Sequence, residues 1–221
     1  MTSRRGAEAL ILAGRVRVNG NTATLGETAD PQEDVIEIDG KPLCKPPTRL
    51  YIMLNKPRGY VTTLSDEKGR RTVQALVRDC GARVYPIGRL DLNSEGLLLF
   101  TNDGDFANRL MHPRYAVEKT YLAWVNGFSA EKLTAVSEME RLDGEKIARP
   151  RVRLLQAKGE IALLELTIHE GKNRQIRRMC EQAGLRVTRL RRIAEGTLRL
   201  GDLPSGTWRH LTQQELAALS E

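Results

Sequence analysis

An acid beside an arginine in a short polar stretch is the most chemically suggestive feature of this 221-residue sequence. Gly88-Arg89-Leu90-Asp91-Leu92-Asn93-Ser94-Glu95-Gly96 stands directly before the apolar run Leu97 to Phe100. A carboxylate at Asp91 could attack an electrophilic carbon, accept a proton, or bond its own backbone to hold a turn; residue types alone leave all three open. A second feature is the stretch Arg174 to Ala183. Ile176, Met179, Cys180 and Ala183 recur at i, i+3, i+4 and i+7, which predicts a helix with Arg174, Arg177 and Arg178 opposite the apolar stripe. Asn173 is placed to cap its start and Gly184 to end it. The apolar stripe reads as core and not as a cofactor contact. The sequence contains no phosphate loop, dinucleotide fingerprint, HExxH or Gly-x-Ser-x-Gly, and His112, His169 and His210 lack ligand-like spacing. Neither a metal nor a cofactor is expected.

The charge is concentrated around the second feature. Lys plus Arg number 35 and Asp plus Glu 28, a net +7. Between Gly171 and Arg199, nine cations face only Glu181 and Glu195, so this segment carries the whole excess and the rest balances. Eight of the nine are arginines, whose planar fork pairs with phosphate and stacks on bases, so a polyanion partner follows; a solvated, solubilising face is the alternative. With 40% hydrophobic residues the chain is not disordered. Its apolar stretches, such as Ala9 to Ala13, fall far short of the roughly 20 residues that span a bilayer. Without a signal pattern, the expected location is the cytoplasm. Cys44, Cys80 and Cys180 are too few and too far apart for a disulfide framework or a CxxC metal site.

These features need elements to position them. Residues 1–44 form a small unit: a helix around Ala7 to Leu12, a strand Arg15 to Val18, an Asn19-Gly20 turn, Val35 to Ile38, and an Asp39-Gly40 turn. Residues 45–50, opened by Lys45-Pro46-Pro47, read as a linker, and residues 51–221 as a second domain. There, strands are expected at Tyr51 to Asn55, Tyr60 to Thr63, Leu97 to Thr101, Thr120 to Val125, Ile161 to Ile168 and Val187 to Ile193. Helices are expected near Thr72 to Val77, Asp105 to Met111, Ala130 to Ser137, Arg174 to Ala183 and from Thr212, where Glu215 completes a capping box. The pattern is mixed α and β.

Gly88-Arg89-Leu90-Asp91-x-x-Ser94-x-Gly96-Leu97-Leu98 resembles the catalytic motif of the pseudouridine synthases. Lys119-Thr120-Tyr121 resembles the family's tyrosine motif, and Glu170 to Met179 its basic-residue motif, both in the family's order. Leu54-Asn55-Lys56-Pro57-Arg58-Gly59 is most similar to the RsuA/RluB class, which modifies ribosomal RNA, and the large-subunit members most of all. Ser3-Arg4-Arg5, Gly14 to Gly20 and Asp34 to Gly40 resemble the small RNA-binding module that precedes the catalytic domain in that class. The family pattern has a further helix before the Ser-Arg-Arg stretch, so with the sequence opening at Met1-Thr2 the module is expected to be truncated or to start upstream, and it holds five cations against seven acids.

The resemblance implies an α+β protein: a small N-terminal α/β RNA-binding module and a larger, mainly antiparallel β-sheet catalytic domain with flanking helices. The implied reaction moves uracil's attachment to ribose from a ring nitrogen to a ring carbon, with no cofactor and no metal. Asp91 would be the nucleophile, Arg177 the cation that pairs with it, and Tyr121 the group that stacks on the base and takes the ring-carbon proton. Arg89 would enter the helical stack when the uridine flips out, and Leu190 would line the base pocket. Arg174, Arg178, Arg4, Arg5 and Arg15 would bind RNA. The expected partner is ribosomal RNA, and the expected state is a monomer. Read without the motifs, Asp91 is a turn residue, Arg177 a solvated cation and Tyr121 or Leu190 a core residue. A non-catalytic RNA-binding or ribosome-assembly factor would need only the arginines. A metal-dependent nuclease would use Asp91, Glu95, Asp103 and Asp105, although Asp103-Gly104-Asp105 reads better as a helix cap.

Overall fold

The computed structural model describes residues 4–30, 33–43 and 48–220, so Ser3, Cys44 and the Lys45-Pro46-Pro47 linker lie outside the described residues. Backbone contacts divide the chain into two units, Met1–Thr48 and Arg49–Glu221.

In the first unit a helix, α1 (Arg4–Leu12), precedes four short strands: β1 (Val16–Val18), β2 (Asn21–Thr22), β3 (Ile36–Ile38) and β4 (Lys41–Pro42). They form an antiparallel sheet in the order β2-β1-β3-β4. Asn19 and Asp39 take φ of 51° and 52°, each followed by a glycine also at positive φ. That is the two-residue hairpin geometry expected of Asn-Gly and Asp-Gly. Asn19 also donates through Nδ2 to Asp34 (2.8 Å) and accepts from the Val35 N–H (2.9 Å), fixing the strands' register.

The second unit is built on a nine-stranded sheet. Its central path is β11-β12-β8-β13-β7-β5-β15, with β14 on β13 and β6 on β7. The strands are β5 (Tyr51–Lys56), β6 (Tyr85–Ile87), β7 (Glu95–Thr101), β8 (Lys119–Asn126), β11 (Arg151–Lys158), β12 (Ile161–Ile168), β13 (Arg186–Glu195), β14 (Leu198–Arg199) and β15 (Trp208–His210). A separate hairpin pairs β9 (Arg141–Leu142) with β10 (Glu145–Lys146). All pairings are antiparallel except β13 with β7, which run parallel over only Arg191↔Glu95 and Arg192↔Gly96.

The helices are α2 (Gly104–Met111), α3 (Ala130–Ser137), α4 (Gln175–Gln182) and α5 (Gln213–Ser220). Alternation along β5 and β7 divides the core. Ile52, Leu54, Leu98 and Phe100 join one cluster with Tyr121, Ala123, Leu164 and the apolar stripe of α4, while Met53, Leu97 and Leu99 join another with α2 and α5. Both central strands are therefore buried on both faces, which is why they read as unbroken apolar runs.

Several expectations are corrected. Tyr60 to Thr63 is not a strand; Val61 makes a single parallel bridge to Thr72, and the segment turns back to hold the Asp91 loop. The helix expected at Thr72 to Val77 is a 3-10 turn, Val73–Leu76. Asn173 does not cap α4: Arg174 occupies the N-cap position at φ 49° with no side-chain cap, whereas Gly184, at φ 77°, ends the helix. The Leu185 N–H reaches the Cys180 carbonyl (2.7 Å), closing the final turn. Strands β6, β11, β14 and β15 and the β9–β10 hairpin were not foreseen. β11 is exposed along nearly its whole length and carries a bulge between Leu154 and Gln156, so it shows no two-residue alternation.

Candidate active site

The Asp91 loop connects β6 to β7 and is held from below, from one side and across its turn. Lys56 ends β5 fully buried, and its ammonium donates to the carbonyls of Asp91 (3.1 Å), Ser94 (2.9 Å) and Pro57 (3.1 Å). Three donors meet three acceptors, the full capacity of an ammonium. Burial pushes this lysine down to about 8, with Asp91 and Glu95 opposing the shift. From the side, Thr62 Oγ1 donates to the Leu90 carbonyl (2.6 Å) and the Gly59 N–H to Leu92 (2.8 Å). The Ser94 N–H closes the turn onto the Asp91 carbonyl (3.0 Å). The Asp91 carboxylate takes no part in this scaffolding, so its own backbone-bonding role as a turn residue is filled by Lys56 and Ser94.

At the loop's end Gly96 sits at φ 103°, and a Cβ there would lie 2.1 Å from the Arg192 carbonyl oxygen. Only glycine permits that approach, which brings β13 against the loop.

Asp91 opens into a cleft of about 1230 Å³ that Arg89, Tyr121, Arg174, Leu190, Arg192 and Glu195 also line. Arg89 is exposed and makes no hydrogen bond or ion pair among the described residues. Leu190 is 6% exposed and belongs to the core as well as to the cleft wall. Tyr121 stands on β8 at 8% exposure, and burial raises its phenol above the ordinary value while the Arg192 guanidinium beside it opposes that shift. Beneath it, Arg192 Nε donates to the Leu97 carbonyl (2.6 Å) and Nη2 lies 3.3 Å from Glu195 Oε2. Glu195 Oε1 is in turn 4.0 Å from Lys119 Nζ. A buried ion pair thus underlies the tyrosine.

The three arginines around α4 diverge instead of sharing one face. Arg174 Nη1 lies 3.9 Å from Asp91 Oδ2, with the two side chains 48% and 36% exposed. Arg177 does not hold the carboxylate directly: Nη1 donates to the Val187 carbonyl (3.1 Å) and Nη2 to the Asn93 carbonyl (3.0 Å), tying the helix to the Asp91 loop. Burial lowers its pKa, Arg174 and Arg58 add to that, and Asp91 opposes it. Arg178 turns away to Asp143 (Nε to Oδ2, 2.6 Å) and braces the β9–β10 hairpin. In the first unit, Arg5 is exposed and Arg15 pairs with Asp39 through two hydrogen bonds (2.8 and 2.5 Å), while Arg4 opens α1.

Sequence reasoning gave no role to Lys56, Arg192 or Glu195. For Arg192 a signal existed: alternation from Leu190 places it on the inward face, unlike Arg189 and Arg191. The carboxylates required by a nuclease do not converge. Asp103 caps α2 and bonds the Tyr51 hydroxyl, Glu95 pairs with Arg189, and no group of three metal-ligating side chains occurs among the described residues.

This geometry agrees with comparisons to known proteins. The family model for RNA pseudouridylate synthase matches residues 50–182, and the S4 domain model matches residues 2–36. The chain is 47% identical over 99% of its length to an uncharacterized RNA pseudouridine synthase of Aquifex aeolicus, covering 89% of that protein. It is 42% identical over 99% of its length to the ribosomal large subunit pseudouridine synthase B of Bacillus subtilis, covering 91% of it. A crystal structure of a pseudouridylate synthase superposes with a TM-score of 0.71 at 30% identity, over 98% of this chain and 94% of that one. With a synthase motif in a cleft of that fold and full-length relatives of the same kind, the chain belongs to the RNA pseudouridylate synthase family.

Proposed function

We propose that this protein isomerises uridine to pseudouridine in ribosomal RNA of the large subunit, with Asp91 as the nucleophile, acting in the cytoplasm as a monomer and without a cofactor. One observation carries the reading: Asp91 opens into the cleft with its carboxylate uncommitted to the loop's scaffolding and Arg174 at 3.9 Å. When substrate covers the carboxylate, Arg174 with the nearby Arg177 offsets its loss of water. Asp91 attacks the base or the ribose carbon, the bond from the ribose carbon to the ring nitrogen breaks, the ribose carbon bonds the ring carbon, and the bond to Asp91 breaks to return the carboxylate. The proton released from the ring carbon goes to a water that the Tyr121 hydroxyl positions, and the ring nitrogen ends protonated. Composition is unchanged, so no redox partner is required. Arg89, free and at the cleft mouth, fits the part of the group that fills the stack a flipped uridine leaves. Arg5 and Arg15 supply cations in the S4-like unit, and Arg178 acts on RNA only through the hairpin it braces.

The test maps pseudouridine in ribosomal RNA from cells with and without the protein, then repeats the assay with purified protein on a large-subunit transcript. A uridine modified only when the protein is present is the expected result. RNA binding without modification would favour an assembly factor instead.

A further inference from the structure

The sheet has a second charged face that the cleft does not use. Alternation sends Tyr121, Ala123 and Val125 of β8 into the core, and Leu122 and Trp124 to the opposite face. Register places Leu163 and Glu165 of β12 on one side of Trp124 and Leu122, and Arg189 and Arg191 of β13 on the other. Leu122, Trp124 and Leu163 belong to neither apolar core and each keeps partial exposure. The Arg189 guanidinium stacks 4.5 Å above the Trp124 ring and is fixed by Glu95 through a 2.6 Å hydrogen bond. Arg153 answers Glu165 at 3.1 Å. Both acids are thereby neutralised, and Arg186 and Arg191, on the same face, make no hydrogen bond or ion pair among the described residues.

We propose that this face is a second contact surface for the RNA substrate, distinct from the cleft, taking phosphodiester groups on Arg186 and Arg191 and one unpaired base on the Arg189–Trp124 stack. The reading rests on RNA being the substrate, as proposed above. Charge decides the occupant: after internal pairing the surplus is entirely guanidinium, which suits a polyanion and would leave unpaired buried cations in a protein interface. The stack adds specificity for single-stranded nucleic acid, because a base can lie on a guanidinium plane as it does on an aromatic ring. Glu95, which orients Arg189, begins β7 immediately after the Asp91 loop, so the face adjoins the catalytic loop from behind.

The double variant Arg186→Ala/Arg191→Ala should reduce the slope of log affinity against log salt by about 1.4 to 1.8 on a large-subunit rRNA transcript, two phosphates' worth. Arg186→Lys/Arg191→Lys should restore it. A reading that leaves this face unaltered uses Trp208→Phe, which makes Trp124 the sole tryptophan; saturating transcript should then quench its emission. An unchanged slope, or emission indifferent to RNA, would overturn the proposal and leave the face to another partner. Pseudouridine formation measured on the same transcript judges the proposed function separately, since both binding readouts stand whether or not the wild type turns over.

Discussion

The two units hold their shape by different means. Residues 49–221 enclose two apolar clusters, and the site's scaffolding groups, Lys56, Arg192 and Glu195, are at most 2% exposed. Among the described residues 1–48, only Val16 and Ala23 count as buried apolar side chains, and geometry rests on two Gly-containing turns, the Asn19 bonds and an exposed Arg15–Asp39 pair. A rigid interior can fix a nucleophile to within fractions of an ångström, whereas a turn-built module presents a surface. The contrast fits the proposed division, in which the chemistry sits wholly in the second unit while the first adds only contact.

The largest test of that division is Asp91→Asn, which keeps volume and should abolish single-turnover pseudouridine formation with RNA binding and melting temperature intact; clear residual turnover would end the nucleophile assignment. Tyr121→Phe keeps the ring and removes the hydroxyl proposed to assist the proton step, so turnover should fall by about 10² to 10⁴-fold at near-normal affinity. Lys56→Met strands three carbonyls and should cost about 3 kcal/mol in urea unfolding. The same lysine gives a pH signature. Its folded value near 8 lies below the ordinary 10.5, so the unfolded chain binds more protons in between, and stability should rise with pH from about 8. Cys180, pushed by burial up to about 12 from 9, acts oppositely above pH 9, which confines the net rise to roughly pH 8 to 9. Lys56→Met should flatten it. Removing residues 1–48 should chiefly raise KM; loss of chemistry at saturating RNA, with the remaining domain folded, would break the comparison. The smallest effect is expected from Arg15→Ala, which should leave the melting of the catalytic unit unchanged.

Legibility followed the same physics. The Asn19-Gly20 and Asp39-Gly40 hairpins, the Thr212/Glu215 capping box and the strand Ile161–Ile168 were readable because local chemistry decides them. The Asp91 loop was readable as a motif, but its support was not. Lys56 lies 35 residues from the carbonyl it holds, and Arg177 reaches Asn93 across 84 residues, distances no periodicity encodes. The expected common face of Arg174, Arg177 and Arg178 failed because Arg174 leaves the helix at positive φ and Asp143 captures Arg178.

The parallel seam between β13 and β7 has a kinetic consequence. Strands β5 to β7 fall within residues 51–101 and β8 to β14 within residues 119–199, but Arg191↔Glu95 and Arg192↔Gly96 join segments nearly a hundred residues apart through only two residue pairs, and β15 returns to β5 across a longer span still. Closing so long a loop costs entropy that two pairs alone repay poorly, so the seam is expected to zip only after both blocks exist. Asp91 lies on one side of it and Tyr121 on the other. A half-folded chain therefore holds Asp91 and Tyr121 on separate pieces, so the reactivity proposed for them requires the seam to close.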